Sequence, residues 1–323
     1  MASDYLWDRS GEDAETQKLE LLLSPYRFRG GQAILPVRTV NWWQLAAAAA
    51  IMIVAGAEMW WTWQPPGDVW RATEVSGRAT VSPRTTLHSG AIVQTADASR
   101  VRLESGAIGV VEVAENTTIQ LIENRSGRHV LALRAGTIHA RTTSPPGVFV
   151  VDTPRARAID LGCEYRLSIA PNGAGVLRVS AGWVELQRGF DQSLVPQGAT
   201  ADIRRDGELT PPYFDDARPE FKSAVRQFAF SDADSRHEAL TRILSLARRR
   251  DALTLLNLFS RATPDERLLV YDRLNQLVPA PVTVPRDAVR SWTPLVTEPW
   301  WPPVLQASGV SAIKKKKGML RGL

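Results

Sequence analysis

The sequence predicts a mainly β domain, a short-strand stack of solenoid-like or jelly-roll-like type, with one N-terminal transmembrane helix and a C-terminal α-helical region. Three observations predict it. An apolar stretch is bracketed by tryptophans at Trp42–Trp63, and residues 72–203 alternate apolar and polar side chains between glycines. After Pro211-Pro212 the apolar period changes from that of a strand to that of a helix. The chain divides accordingly into a tail (1–40), a membrane segment (41–63), a β domain (64–210), a helical region with a Pro/Trp-rich end (211–303) and a basic tail (304–323).

In the membrane segment, Trp42-Trp43-Gln44 lead into Leu45–Ala57, followed by Glu58-Met59-Trp60-Trp61-Thr62-Trp63. About 20 residues rising 1.5 Å each match a hydrocarbon core roughly 30 Å thick. Trp42, Trp43, Trp60, Trp61 and Trp63 then stand where amphipathic rings favour the headgroup level, as membrane anchors. Ala55-Gly56-Ala57 resembles a signal-peptide cleavage site. However, the 40 residues before the segment hold six acids, unlike a short basic leader, so an uncleaved anchor is expected. Arg27, Arg29 and Arg38 precede it with no acid after Glu20, whereas the residues after it are of mixed sign. The positive-inside rule therefore leaves the N-terminus in the cytosol and the bulk of the chain outside it.

The tail is too short for a core of its own. Leu19, Leu22, Leu23 and Tyr26 nonetheless recur at helical spacing, with the cluster Tyr5-Leu6-Trp7 upstream. A short amphipathic helix without a core wants a partner, so Tyr5, Leu6, Trp7, Leu19, Leu22 and Leu23 are the candidate partner-binding residues.

In the β domain the clearest alternation is Ile159, Leu161, Cys163, Tyr165, Leu167 and Ile169, which predicts one strand over 159–169 with Cys163 on its apolar side. A lone cysteine makes no internal disulfide, and on that side it is expected to be a buried small hydrophobe. His139 has the opposite parity to Ile138 and Ala140 and is expected at the surface. Asp152, Asp160 and Glu164, beside glycine turns, are expected to serve solubility.

Several stretches resemble the FecR-like domain of bacterial transmembrane signalling regulators. They are Leu87-x-x-Gly90-x-Ile92-x-x-Thr95, Leu131-x-Leu133-x-x-Gly136-x-Ile138, and Phe149-Val150-Val151-x-Thr153. Leu161-Gly162-Cys163-x-Tyr165-x-Leu167, Val179-x-x-Gly182-x-Val184 and Leu194-x-x-x-Gly198 continue the series. The resemblance covers under half the chain. It implies a non-enzymatic regulator of the bacterial inner membrane that senses an outer-membrane or other periplasmic protein and contacts a cytosolic sigma factor. The chain departs from the pattern in its short tail, in lacking His/Cys zinc ligands there, and in ending in helices.

Helices are expected over 219–228, 235–249, 251–261 and 264–278. Thr263-Pro264-Asp265-Glu266 gives the last a complete start signal, with a cap, proline at the first position and Glu at the capping-box position. Residues 279–303 read as extended, pinned by Trp292, Trp300 and Trp301. Lys314–Lys317 form a basic run suited to a solvated tail or an anionic membrane surface. The sequence holds no paired-histidine metal motif, phosphate-binding glycine loop, dinucleotide fingerprint or nucleophile elbow. No catalytic residue, metal or cofactor is expected, and the +5 charge is too evenly spread for a nucleic-acid binder. An envelope scaffold or glycan- or protein-binding module, with the tail as a tether, is the alternative reading.

Overall fold

The computed structural model describes residues 14–26, 69–189, 191–231 and 233–311. The chain forms two compact units, Met1–Thr62 and Trp63–Leu323. In the first, helix α1 (Ala14–Leu23) is followed by a 3-10 turn at Ser24–Tyr26. Tyr5, Leu6, Trp7 and the five tryptophans of the membrane segment lie outside the described residues. Among those described, no helix is long and apolar enough to cross a membrane.

The second unit contains strands β1–β15 in chain order among its described residues. One sheet runs β3 (Ile92–Gln94), β6 (Thr118–Arg125), β7 (Arg128–Thr142), β8 (Phe149–Asp152), β9 (Arg157–Asp160), β12 (Trp183–Arg188) and β13 (Asp191–Pro196). The other runs β2 (Thr86–Leu87), β1 (Trp70–Ser76), β4 (Arg100–Ser105), β5 (Gly109–Val113), β7 again, β10 (Glu164–Ile169), β11 (Gly175–Ala181), β14 (Ala199–Ile203) and β15 (Tyr213–Phe214). Among the described strands every pairing but β7–β8 is antiparallel. That excludes the solenoid-like half of the expectation, because coils of a solenoid stack in parallel.

Strand β7 belongs to both sheets. Residues 128–135 pair in the first and 136–142 in the second, and the change falls at Gly136, whose φ is +104°. A Cβ there would stand 2.4 Å from the Thr117 Cα, so the passage of one strand between sheets requires glycine. Thr117 holds the crossing, its Oγ1 accepting from the Thr137 N–H at 2.9 Å.

The single strand expected over 159–169 is two strands, β9 in the first sheet and β10 in the second. Gly162, at φ +87°, sits in the turn between them. Alternation survives the turn because both strands keep an apolar side, and a two-residue period carries no mark of where a chain changes sheets.

Inward side chains of both sheets form one core, including Leu103, Ile119, Leu133, Ile138, Leu167 and Leu177. Trp70 stacks 5.9 Å from Phe149 and donates its indole N–H to His129 Nδ1 at 3.2 Å, so this buried histidine is an acceptor within the core. The helices α2 (Pro219–Phe230), α3 (Ala233–Leu246), α4 (Ala252–Leu258) and α5 (Pro264–Leu277) add Phe221, Phe228, Leu240, Leu256 and Leu274 to the same core. Each full burial of such a side chain contributes about 1.5–3 kcal/mol. The helices thus continue the β core. The boundary expected at 210/211 is also crossed by β15, which pairs with β14.

The capping box forms as expected: Glu266 Oε2 accepts from the Thr263 N–H at 2.8 Å, and Thr263 Oγ1 from the Glu266 N–H at 3.4 Å. The extended reading of 279–303 is corrected. The segment holds 3-10 turns at Arg286–Val289 and Glu298–Trp300 and helix α6 (Pro294–Thr297), and it opens α7 (Trp301–Ser308). Pro294, Pro299, Pro302 and Pro303 stand in first helical turns, where a missing N–H loses no bond. Trp300 does pin it, fully buried, 5.0 Å from the Tyr271 ring and donating to the Val278 carbonyl at 3.1 Å. Helix α7 crosses the boundary expected at 304 and ends at Gly309, with φ +68°. Lys314–Lys317 lie outside the described residues.

Candidate functional site

Three places gather polar or unpartnered side chains. The first is α1. Leu19, Leu22 and Leu23 are 57%, 70% and 57% exposed, and Leu21 and Tyr26 are exposed beside them. Their helical spacing puts Leu19, Leu22 and Leu23 on one face, as the sequence predicts. Ten residues with every leucine in water are below the length at which a helix is stable alone.

The second is the Gly162 turn. Asp160 is fully buried, which corrects its assignment to solubility. Its Oδ1 accepts from Thr142 Oγ1 at 2.8 Å and from the Gly162 N–H at 2.7 Å, and its Oδ2 from Cys163 Sγ at 2.8 Å. Burial raises the carboxyl above its usual range, with the three donors working in the opposite direction. Burial, together with the nearby carboxylate, pushes the Cys163 thiol far up. The thiolate is the nucleophilic form, so this buried thiol is inert, in keeping with the sequence. The adjacent Tyr165 hydroxyl is buried with no hydrogen-bond partner, and burial raises it too. The three donors tie the end of β7 to the β9–β10 turn, which is a structural task.

The third is the outward face of the second sheet. A transverse row runs Glu74, Arg102, Glu112, His139, Arg166, Arg178 and Thr200, one residue per strand from β1 through β14. Arg102 bridges Glu104 at 2.8 Å and Glu112 at 3.2 Å. His139 is half-buried at the surface, as its parity predicts, with Nε2 3.2 Å from Glu164 and Nδ1 3.9 Å from Glu112. Arg141 pairs with Glu164 at 3.2 Å and, chiefly through that bond, holds the Glu164 carboxyl below its usual range. Among the described residues no group of three His, Cys, Asp or Glu side chains is placed to hold a metal ion. The ladder alternates in sign from Glu74 to Glu112 and becomes basic at Arg166 and Arg178, which face each other on β10 and β11. Individual alternating positions were legible in the sequence. The row was not, because it depends on the register of seven strands.

No family model matches the chain, and no curated protein matches it in sequence. The chain is similar to two crystal structures of a candidate anti-sigma factor from Parabacteroides distasonis ATCC 8503. At 1.65 Å resolution the identity is 16% and the TM-score 0.35, over 48% of this chain and 75% of that one. At 2.50 Å the values are 17% and 0.34, over 47% and 74%.

Proposed function

We propose that the protein is a membrane-anchored, FecR-like regulator without enzymatic activity. The segment 41–63 spans the inner membrane of a bacterium, residues 1–40 reach into the cytosol, and the β domain with its helices works on the periplasmic side. There the domain binds an envelope protein, and the tail contacts a cytosolic regulator such as a sigma factor.

The observation that carries this reading is the exposed leucine face of α1. Burying Leu19, Leu22 and Leu23 against a partner is worth roughly 5–9 kcal/mol gross, at about 1.5–3 kcal/mol each. After an association cost of about 4 kcal/mol or more, at most about 5 kcal/mol remains, the scale of a weak, sub-millimolar contact that the rest of the tail would have to strengthen. A mere tether gains nothing from three leucines in water. Residues 1–40 fused to an inert carrier are expected to retain one cytosolic partner saturably, and Leu19→Ser with Leu22→Ser and Leu23→Ser to release it. Equal retention by the triple variant, or no saturable partner, favours the scaffold reading and removes the signalling one.

A further inference from the structure

Next to the charged row, the same outward face carries a second one. Thr137, Ser168, Val176 and Asp202 lie in register on β7, β10, β11 and β14. They line an open groove of about 670 Å³, together with Arg204 and Arg205 beyond β14 and Arg226 and Phe230 of α2. Strands spaced about 4.8 Å apart make the row roughly 14 Å long, the reach of about four extended residues at 3.3 Å each. Val176, 42% exposed, gives the groove an apolar floor.

The polar groups around that floor are donors with spare capacity. Thr137 Oγ1 donates to Ser168 Oγ at 2.9 Å, which leaves the Ser168 hydroxyl proton for another acceptor. Arg204 gives one terminal nitrogen to the Phe230 carbonyl at 2.7 Å and the other to Asp206. Its Nε is screened from water and has no acceptor. Asp202, the carboxylate of the lining, is already engaged by the Tyr213 hydroxyl at 2.7 Å and Arg226 Nε at 2.8 Å. Arg205 is exposed and pairs with no carboxylate among the described residues. One row over, Arg166 stands directly across from Arg178, an unfavourable pairing of like charges. Asp215 offsets Arg178 at 3.2 Å, and no carboxylate among the described residues offsets Arg166.

The groove, with Val176 and Phe230 as apolar elements, is edged by free donors and by cations that pair with no carboxylate among the described residues, and its lining carboxylate, Asp202, is already engaged. We propose that the groove binds an extended, acidic segment of a protein partner. Apolar side chains of the segment sit on Val176 and Phe230, and its carboxylates meet Arg205 and Arg166 with the Ser168 hydroxyl donating. This rests on the reading of the periplasmic region as a protein-binding domain and adds to it a surface and a partner chemistry.

The test uses the full chain in detergent micelles and a fluorescein-labelled hexapeptide of alternating leucine and glutamate, followed by anisotropy. Its control carries glutamine for glutamate. The acidic peptide is expected to bind at least about tenfold more tightly than the control, and added salt to weaken it. Arg205→Glu and, separately, Val176→Asp are each expected to reduce binding about tenfold or more while the near-ultraviolet circular dichroism stays that of the wild type. Equal binding of the two peptides, unchanged binding by Arg205→Glu, or none up to about 1 mM overturns the proposal. Binding that survives replacement of residues 1–40 by an unrelated anchor supports the groove even if capture by the tail fails, so the two readings fail separately.

Discussion

Asp160 and Glu164 are carboxylates four residues apart on either side of Gly162, and the fold treats them in opposite ways. Asp160 is sealed in the core, with three donors from its own chain and a carboxyl raised by burial. Glu164 lies on the outward ladder between His139 and Arg141, with a carboxyl lowered by the arginine. The turn moves the chain from one sheet to the other, and the end of β9 delivers an acid inward just before β10 presents one outward. Location therefore decides their roles: the buried acid organises a junction, and the exposed one belongs to a surface that can be remodelled cheaply.

Substitutions break this contrast in order of size. Asp160→Ala leaves the Gly162 N–H and the Cys163 thiol without an acceptor, while the Thr142 hydroxyl keeps the Cys163 carbonyl at 3.1 Å. At about 1 kcal/mol or more for each orphaned donor, denaturant melts are expected to show a loss of about 2 kcal/mol or more. A loss below about 1 kcal/mol means that water replaces the carboxylate at the junction. Asp160→Asn keeps an acceptor oxygen and is expected to cost less.

The pH dependence sharpens the contrast because the two acids act with opposite sign. The raised Asp160 contributes stability that is complete below its unfolded value of 3.8 and is lost as pH rises through its higher folded value. The deficit of Asp160→Asn against the wild type therefore narrows as pH rises above about 4. The lowered Glu164 contributes stability present above its unfolded value of 4.5 and lost as pH falls through its lower folded value. The deficit of Glu164→Gln therefore narrows as pH falls below 4.5, which urea melts across pH 3–7 check. That deficit is the smallest effect, within about 1 kcal/mol at neutral pH and smaller in high salt, because the pair is solvated. A larger, salt-independent loss places Glu164 in the fold rather than on the surface.

The same contrast explains what the sequence could reveal. Period-two alternation identified the β class and the sides on which Cys163 and His139 lie, because both follow from local parity. It could not show that 159–169 is two strands in two sheets, since Gly162 changes direction without disturbing parity. Nor could it distinguish buried Asp160 from exposed Glu164, because the three residues of a tight turn separate them and a side chain's surroundings there depend on tertiary contacts. Thr263 to Glu266 was legible because a capping box is local. The segment 279–303 was not, because its prolines suit both an extended chain and the first turn of a helix, and burial of Trp300 selected the latter. The groove residues Thr137, Ser168, Val176 and Arg205 come from separate stretches, and only strand register brings them together.

The central claim is that one chain carries binding surfaces on opposite sides of a membrane, and labelling of single cysteines tests it most directly. Cys163, buried and with a thiol pushed far up, contributes no background to a maleimide reagent. In intact spheroplasts, a membrane-impermeant maleimide is expected to label Ser231→Cys and to spare Ser10→Cys until the membrane is permeabilised. Labelling of both before permeabilisation, or of Ser10→Cys alone, contradicts the account.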